Sequence, residues 1–398
     1  MPRRTGSNRD EIRRHNLAAL LEHLHHTGET SRAELTSLLG LNRSTIAALV
    51  ADLAARGLVE EVEPAQRLTA GRPSPLVRPR PERAVALAVE LEVDCICVAL
   101  VGIGGTVLVR RRTPYLRAAL DPEQAVSAAA ELAGPMLGAL DSRARLTGVG
   151  VGVAGIVRRE DGLVHHAPNL GWREVPLGRL VGQALGFDVV VHVGNDANLG
   201  AIAEHTRGAG RGVGDLAYVS SEVGVGVGVL TAGRPLTGAD GYFGEYGHLP
   251  LFPRGRHCRC GARGCWETEV GTHSLLRWAG LSPEHGRDGV REVLAGAAAR
   301  DRTAMAAVEH VADRLAIGLA AIVNTLNPRL IVLGGFFAEL WPLAGTRIRR
   351  ALCRHALAAP ADRVEIAPAL LGDDATLLGA AETALAAVVQ DPTLVPAG

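Results

Sequence analysis

The chain has 398 residues, of which 47% are hydrophobic, and 42 basic residues balance 42 acidic ones. That much apolar side chain excludes disorder as the main state, and the length predicts two or three domains. Every one of the 42 basic residues is Arg, which excludes a Walker A lysine, a protein-kinase β3 lysine and any Schiff-base lysine. The amino terminus, MPRRTGSNRDEIRRHN, has no apolar core of a signal peptide, and no apolar run nears membrane-spanning length. A soluble, cytoplasmic protein with no membrane partner is expected.

The first 60 residues read as consecutive helices. The first covers about Arg9 to His26, and its histidines, the His25-His26 pair included, are expected on the surface. A second helix starts at Ser31, where Ser31 and Glu34 have capping-box spacing, and runs to Leu39. Gly40 terminates it and Asn42 can cap a third helix. There Ile46, Leu49, Val50 and Leu53 fall at i, i+3, i+4 and i+7, which makes one buried face. Arg43, Ser44 and Thr45 are left on its first turn. An Arg can place two hydrogen bonds on guanine, and Ser and Thr reach phosphates or base edges. GLVEE then reads as a first wing strand. Arg67 to Arg72 would form a wing tip able to enter a narrow minor groove. Residues 1–69 are therefore expected to be a winged helix-turn-helix binding double-stranded operator DNA, with Arg43, Ser44, Thr45, Arg67 and Arg72 as its contacts.

Residues 70–82, AGRPSPLVRPRPE, hold four prolines and read as wing end and linker without regular structure. From residue 83 to 398, strand-like runs such as AVALAVEL and RLIVLGG alternate with Ala- and Leu-rich helices, an α/β order. Cys95 and Cys97 lie in an alternating apolar run and are read as packing residues. Cys258, Cys260 and Cys265 are different. Three thiols within eight residues, on a loop with Gly261 and Gly264, need one further ligand to close a tetrahedral zinc site. His257 adjoins Cys258, which makes joint coordination awkward; His248 can arrive from a separate turn and is preferred. One structural zinc per chain follows.

GEYGH followed by CRCGARGCWE resembles the signature of the ROK family, which comprises repressors, open reading frames and sugar kinases. The likeness runs from about Ala84 to Ala387, and the winged helix-turn-helix in front resembles its repressor branch, that of xylose and N-acetylglucosamine. The resemblance implies a two-lobed actin-like ATPase fold, a His-Cys₃ zinc, a sugar site in the cleft and a homodimer or higher homo-oligomer. It also implies effector contacts from Asn195 and Asp196 of VGNDAN, Glu245 of GEYGH, His248, Glu267 of CWE, and Asn169 of APNLGW. Carboxylates and amides suit vicinal sugar hydroxyls.

In the family's kinases Asp196 would be the general base. The phosphate side differs. Where the kinases carry Asp-x-Gly-Gly-Thr, this chain reads Glu90-Leu91-Glu92-Val93-Asp94, and the second Gly-Thr-Gly loop reads Ser221-Glu222-Val223. The glycines are gone, and the carboxylates of Glu92, Asp94 and Glu222 would repel phosphate. Gly102-Ile103-Gly104-Gly105-Thr106 looks like the missing loop but reads as a hairpin turn. Gly334-Gly335 persists with Phe336 and Phe337 after it. No ATP and no catalytic residue are expected. The reading is a sugar-responsive repressor of carbohydrate genes; the rival is an ATP-dependent sugar kinase with an appended DNA-binding domain.

Overall fold

The computed structural model describes residues 7–63, 74–114, 121–222 and 224–397. Arg67 and Arg72, and Val223 of the second loop, lie outside the described residues. The chain divides into two units, one of residues 1–151, 177–193 and 380–398, the other of residues 152–176 and 194–379. Among the described residues no single helix is long and apolar enough to cross a membrane.

Three helices open the first unit: α1 (Ser7–Thr27), then after the short strand β1 (Thr30–Ser31), α2 (Arg32–Leu39) and α3 (Arg43–Ala55). The local signals act as expected. Ser31 and Glu34 form a reciprocal capping box, Gly40 takes a left-handed conformation, and the Asn42 side chain accepts from the Thr45 N–H. Ile46, Leu49, Val50 and Leu53 are buried. Helix α3 leaves α2 at a bend of 113°.

Strand β2 (Val59–Val62) follows, and then β3 (Leu76–Pro79). This corrects the linker expectation for residues 70–82. Strand β3 is central in a three-stranded sheet, paired to β1 on one edge and β2 on the other. Val77 is fully buried there, and Pro75 and Pro79 sit at the strand's ends, where a missing N–H costs least.

The histidine expectation also fails at one position. His25 is only 1% exposed, because it lies four residues after Leu21 and eight after Leu17 on the buried stripe of α1. His15 stays exposed, and His23 and His26 are half-buried.

Strands β4 (Ala84–Leu91), β5 (Cys95–Gly102) and β6 (Thr106–Pro114) form an antiparallel meander. The Gly102–Thr106 segment is the expected hairpin, with Gly104 and Gly105 both at positive φ. Cys95 and Cys97 are buried in β5, and burial pushes the Cys95 thiol up to about 12. Helix α4 (Pro122–Gly138) and strand β7 (Arg145–Val153) follow.

The second unit begins with the small sheet of β8 (Ile156–Val157), β9 (Val164–Ala167) and β10 (Trp172–Val175). The chain returns to the first unit for α5 (Leu177–Leu185) and the start of β11 (Val191–Asn195), and the second unit resumes with α6 (Asp196–Arg207), β12 (Leu216–Ser221), β13 (Val225–Thr231) and β14 (Arg234–Pro235). Short helix α7 (Glu267–Val270) leads to α8 (Thr272–Trp278), α9 (Gly286–Ala298) and α10 (Arg302–Leu326). The chain ends through β15 (Leu330–Gly335), α11 (Phe336–His355), α12 (Ala358–Arg363), β16 (Glu365–Pro368) and α13 (Ala375–Gln390).

The two large sheets have the orders β11-β7-β4-β5-β6 and β14-β13-β12-β15-β16. In each, the first three strands in sequence are neighbours and the last two extend the sheet on the far side of the first. One arrangement is thus used twice. The duplication fits the actin-like fold that the family resemblance implies, and the mixed α/β expectation holds.

Candidate functional site

The loop after β14 brings four ligand atoms together. His248 ends a 3₁₀ turn over Tyr246–His248, and its Nδ1 lies 3.6 Å from Cys258 Sγ. Cys260 and Cys265 Sγ are 3.6 Å apart, and all four ligand atoms lie within 4.8 Å of one another. Between the sequence's two candidates, the structure brings in His248; His257 instead bridges to Arg263. Three thiols and one imidazole form a soft, closed donor set that suits a divalent ion such as zinc. Burial holds the Cys265 thiol up at about 11, so a cation is what would draw these sulfurs into the thiolate form.

The cluster is tied to the core by the next residue. Trp266 is fully buried, its indole N–H donates to the Arg314 carbonyl at 3.0 Å, and α10 admits it at Gly318, where a Cβ would strike the ring. Glu267 follows and starts α7, its Oε1 accepting from the Cys258 thiol at 2.9 Å. His248 therefore faces two ways. Its Nδ1 is 3.6 Å from Glu267 Oε1, and its Nε2 is 3.8 Å from Glu245 Oε2.

Asn195 and Asp196 stand at the junction of β11 and α6. The Asn195 side chain caps α6, its Oδ1 accepting from the N–H groups of Ala197 and Asn198, while Nδ2 donates to the Gly155 carbonyl. Most of its hydrogen-bonding capacity is thus spent on the backbone. Asp196 is half-buried as a residue, yet its carboxyl group is crowded on all sides, and the crowding governs its proton. Desolvation, opposed by the Ala197 N–H and reinforced by Glu222 and Glu245, pushes its pKa up to about 7. Glu245 is raised too, by burial first, with Glu267 adding repulsion and His248 opposing. These carboxylates share one environment. Asn169 Oδ1 accepts from Arg259 on the cysteine loop at 3.0 Å.

The glycines of β13 serve this packing. A Cβ on Gly228 would fall 2.2 Å from the Ala197 carbonyl oxygen, so α6 lies directly on the strand. The spaced-glycine run is a close-approach surface, which a lone run of this kind does not reveal.

The phosphate-side positions have settled into internal contacts. Glu92 accepts from Arg112 and from the Cys95 thiol, both at 3.1 Å. Glu222 pairs with Arg287 of α9, which also lies 3.5 Å from Asp373, and the Glu222 carbonyl accepts from the Thr272 hydroxyl. Phe336 and Phe337 point into the main core of their unit. Sequence reasoning missed Trp266, Arg259 and Arg287. Only Trp266 had a signal, its place between a ligand and a carboxylate.

At the amino-terminal end, Arg43 and Ser44 are exposed and Thr45 half-buried on the first turn of α3. The Ser44 hydroxyl donates to Asn42 Oδ1 at 2.7 Å, which holds that turn in shape.

A model of the ROK family matches residues 86–387. The putative xylose repressor of Caldicellulosiruptor sp. strain Rt8B.4 is 30% identical over 361 residues, covering 88% of this chain and 90% of that protein. A glucokinase of Halalkalibacterium halodurans is 33% identical over 252 residues, covering 60% of this chain and 76% of that protein. The crystal structure of a ROK family transcriptional regulator, a homologue of the E. coli MLC protein, covers 97% of this chain and 99% of its own at a TM-score of 0.76. Its 22% identity makes that a likeness of fold.

Proposed function

Because this chain belongs to the ROK family, we propose that it is a sugar-responsive transcriptional repressor of carbohydrate genes and not a kinase. Its head, which extends through β3, binds double-stranded operator DNA as a winged helix-turn-helix. The remainder binds a sugar effector and one structural zinc, and the protein acts in the cytoplasm as a homodimer or higher homo-oligomer.

The observation that carries this reading is a combination within one chain. Asp196, Glu245, His248 and Glu267, residue types that suit sugar hydroxyls, lie in one neighbourhood, while the phosphate-loop position holds Glu222 clasped by Arg287. The 113° bend between α2 and α3 supports the DNA-binding half, since helix-turn-helix pairs meet at about 90–120°. The length of the likeness points the same way, 88% of the chain for a xylose repressor against 60% for a glucokinase.

His248, Cys258, Cys260 and Cys265 would hold the zinc, which would cross-link the His248 turn to the cysteine loop. His248 has Nδ1 on the cysteine side and Nε2 beside Glu245, so with the first given to the ligand set the second would remain for an effector hydroxyl. Glu267 and Asp196 accept from further hydroxyls, Asn169 offers its amide, and Asn195 acts mainly by fixing Asp196 at the start of α6. Sugar then shifts the protein between two states of unequal operator affinity, a coupling of about 1–3 kcal/mol or roughly 5–150-fold.

Asp196 keeps the rival kinase reading on the table, since a carboxylate with pKa about 7 is a competent base. Sheared genomic DNA pulled down by the purified protein, with and without a sugar panel and with Arg43→Ala as control, tests the proposal. Enrichment of a few fragments that one sugar alters is the expected result. No enrichment, together with phosphoryl transfer from ATP to a hexose, would replace it with the kinase.

A further inference from the structure

Helix α13 is continuous from Ala375 to Gln390. Near its start it touches α6: a Cβ on Gly379 would lie 1.9 Å from the Leu199 carbonyl oxygen, so the two backbones are in direct contact. Helix α6 is the element that begins at Asp196. Three residues after Gly379, Glu382 is 8% exposed, and its Oε2 lies 2.8 Å from Nε2 of the buried His25 on α1.

The other side of the His25 ring fixes which nitrogen donates. The Gly104 N–H of the β5–β6 hairpin donates to His25 Nδ1 at 2.8 Å. Nδ1 is therefore an acceptor, the ring proton sits on Nε2, and His25 donates it to the Glu382 carboxylate. His26 completes a trio whose ligand atoms come within 4.8 Å of each other. With Nδ1 accepting from the Gly104 N–H and Nε2 donating to Glu382, both ring nitrogens of His25 are engaged in hydrogen bonds, and the trio is read as a hydrogen-bonded joint.

We propose that His25 and Glu382 are positioning residues for the effector response, joining α13 to helix α1 of the DNA-binding head. This rests on the repressor reading given above. A displacement of α6 at Asp196 is passed to α13 at Gly379, and less than one helical turn later it reaches Glu382. A buried, charge-assisted hydrogen bond weakens steeply as its length and angle depart from ideal, so a small slide of α13 would loosen the joint and release α1. In this proposal the made and loosened joint are the two states whose balance the sugar shifts.

The test uses the full-length chain as wild type, Glu382→Leu, His25→Leu and the conservative Glu382→Gln. D-xylose and D-glucose serve as probes, with a genomic fragment selected by the wild type as DNA. Calorimetry should show sugar affinity within about twofold of wild type in every variant, while the sugar-linked change in DNA affinity falls below about twofold in the two Leu variants and largely survives in Glu382→Gln. Hydrogen exchange over residues 17–27 should quicken about five- to tenfold in Glu382→Leu. A Glu382→Leu protein with a full sugar-linked DNA response overturns the proposal while leaving the repressor reading intact. Unchanged exchange in α1 overturns it whatever the DNA result. A wild type whose DNA affinity ignores every sugar tried overturns the repressor reading and the joint's role with it.

Discussion

Replacing Asp196 with Asn should stabilise the protein, by an amount that depends on pH. The raised carboxyl means that the folded state holds its proton more tightly than the unfolded state does. Between the ordinary value of 3.8 and about 7, unfolding therefore releases that proton, and stability falls as pH rises. Above about 7 both states are ionised and the penalty is constant. At 1.36 kcal/mol per unit, the ceiling is about 4 kcal/mol at pH 8 and under about 2 at pH 5. Local relaxation should leave roughly 1–3 kcal/mol at pH 8. Asn keeps the oxygen that accepts from the Ala197 N–H at 2.9 Å, so the change removes charge without breaking that bond. In thermal unfolding, the unit containing Asp196, of about 200 residues, should gain roughly 2–4 °C per kcal/mol. The decisive comparison is the variant's advantage at pH 5, 7 and 8: it should grow to pH 7 and then level. A gap that is constant across the range, or that shrinks with rising pH, would refute the argument that burial has raised this carboxyl. The same variant should lose much of its sugar response while binding DNA normally.

Arg43→Ala should cost about 1–3 kcal/mol at the operator, read by gel shift at fixed salt, with sugar affinity unchanged. Asn42→Ala removes the acceptor for both the Thr45 N–H and the Ser44 hydroxyl; it should lower the stability of α3 by about 1 kcal/mol, seen as faster exchange in residues 43–55. Elemental analysis should find about one zinc per wild-type chain and nearly none in Cys265→Ser, whose sugar affinity should fall as Glu267 loses its anchor. A wild type with less than about half a zinc would refute the His248-Cys₃ assignment.

What the sequence made legible follows the range of the interaction. Capping is local, so Ser31, Glu34, Gly40 and Asn42 could be read from spacing alone, and each does in the fold what its spacing promised. His25 was within reach of the same reasoning. It extends the stripe of Leu17 and Leu21, but a polar residue on such a stripe is read as surface unless its partners are known, and those partners are Gly104 and Glu382, 79 and 357 residues away. Strand β3 was hidden because three prolines flank its two apolar residues; only its two neighbours, β1 and β2, make Val77 a core position. Spacing made the cysteine loop plain, and the adjacency of His257 to Cys258 was enough to favour His248, which the fold brings to the three thiols. The Glu222–Arg287–Asp373 contacts join three distant segments, and no pattern in the chain announces them.

The placement of β3 bears on the operator itself. Only residues 80–83 separate it from β4, and they are pinned: the Arg80 N–H donates to the Leu58 carbonyl, and the Arg83 guanidinium donates to the carbonyls of Arg56, Arg143 and Pro396. A head on a slack tether could reach half-sites at many separations, each at a modest cost in chain entropy. This head has no such slack. In the proposed dimer the ruler is the protein, so two half-sites should be tolerated at one spacing and rejected when a few base pairs are inserted between them. Genomic sites for such a regulator would then be recognisable as much by the interval between their halves as by the letters within them.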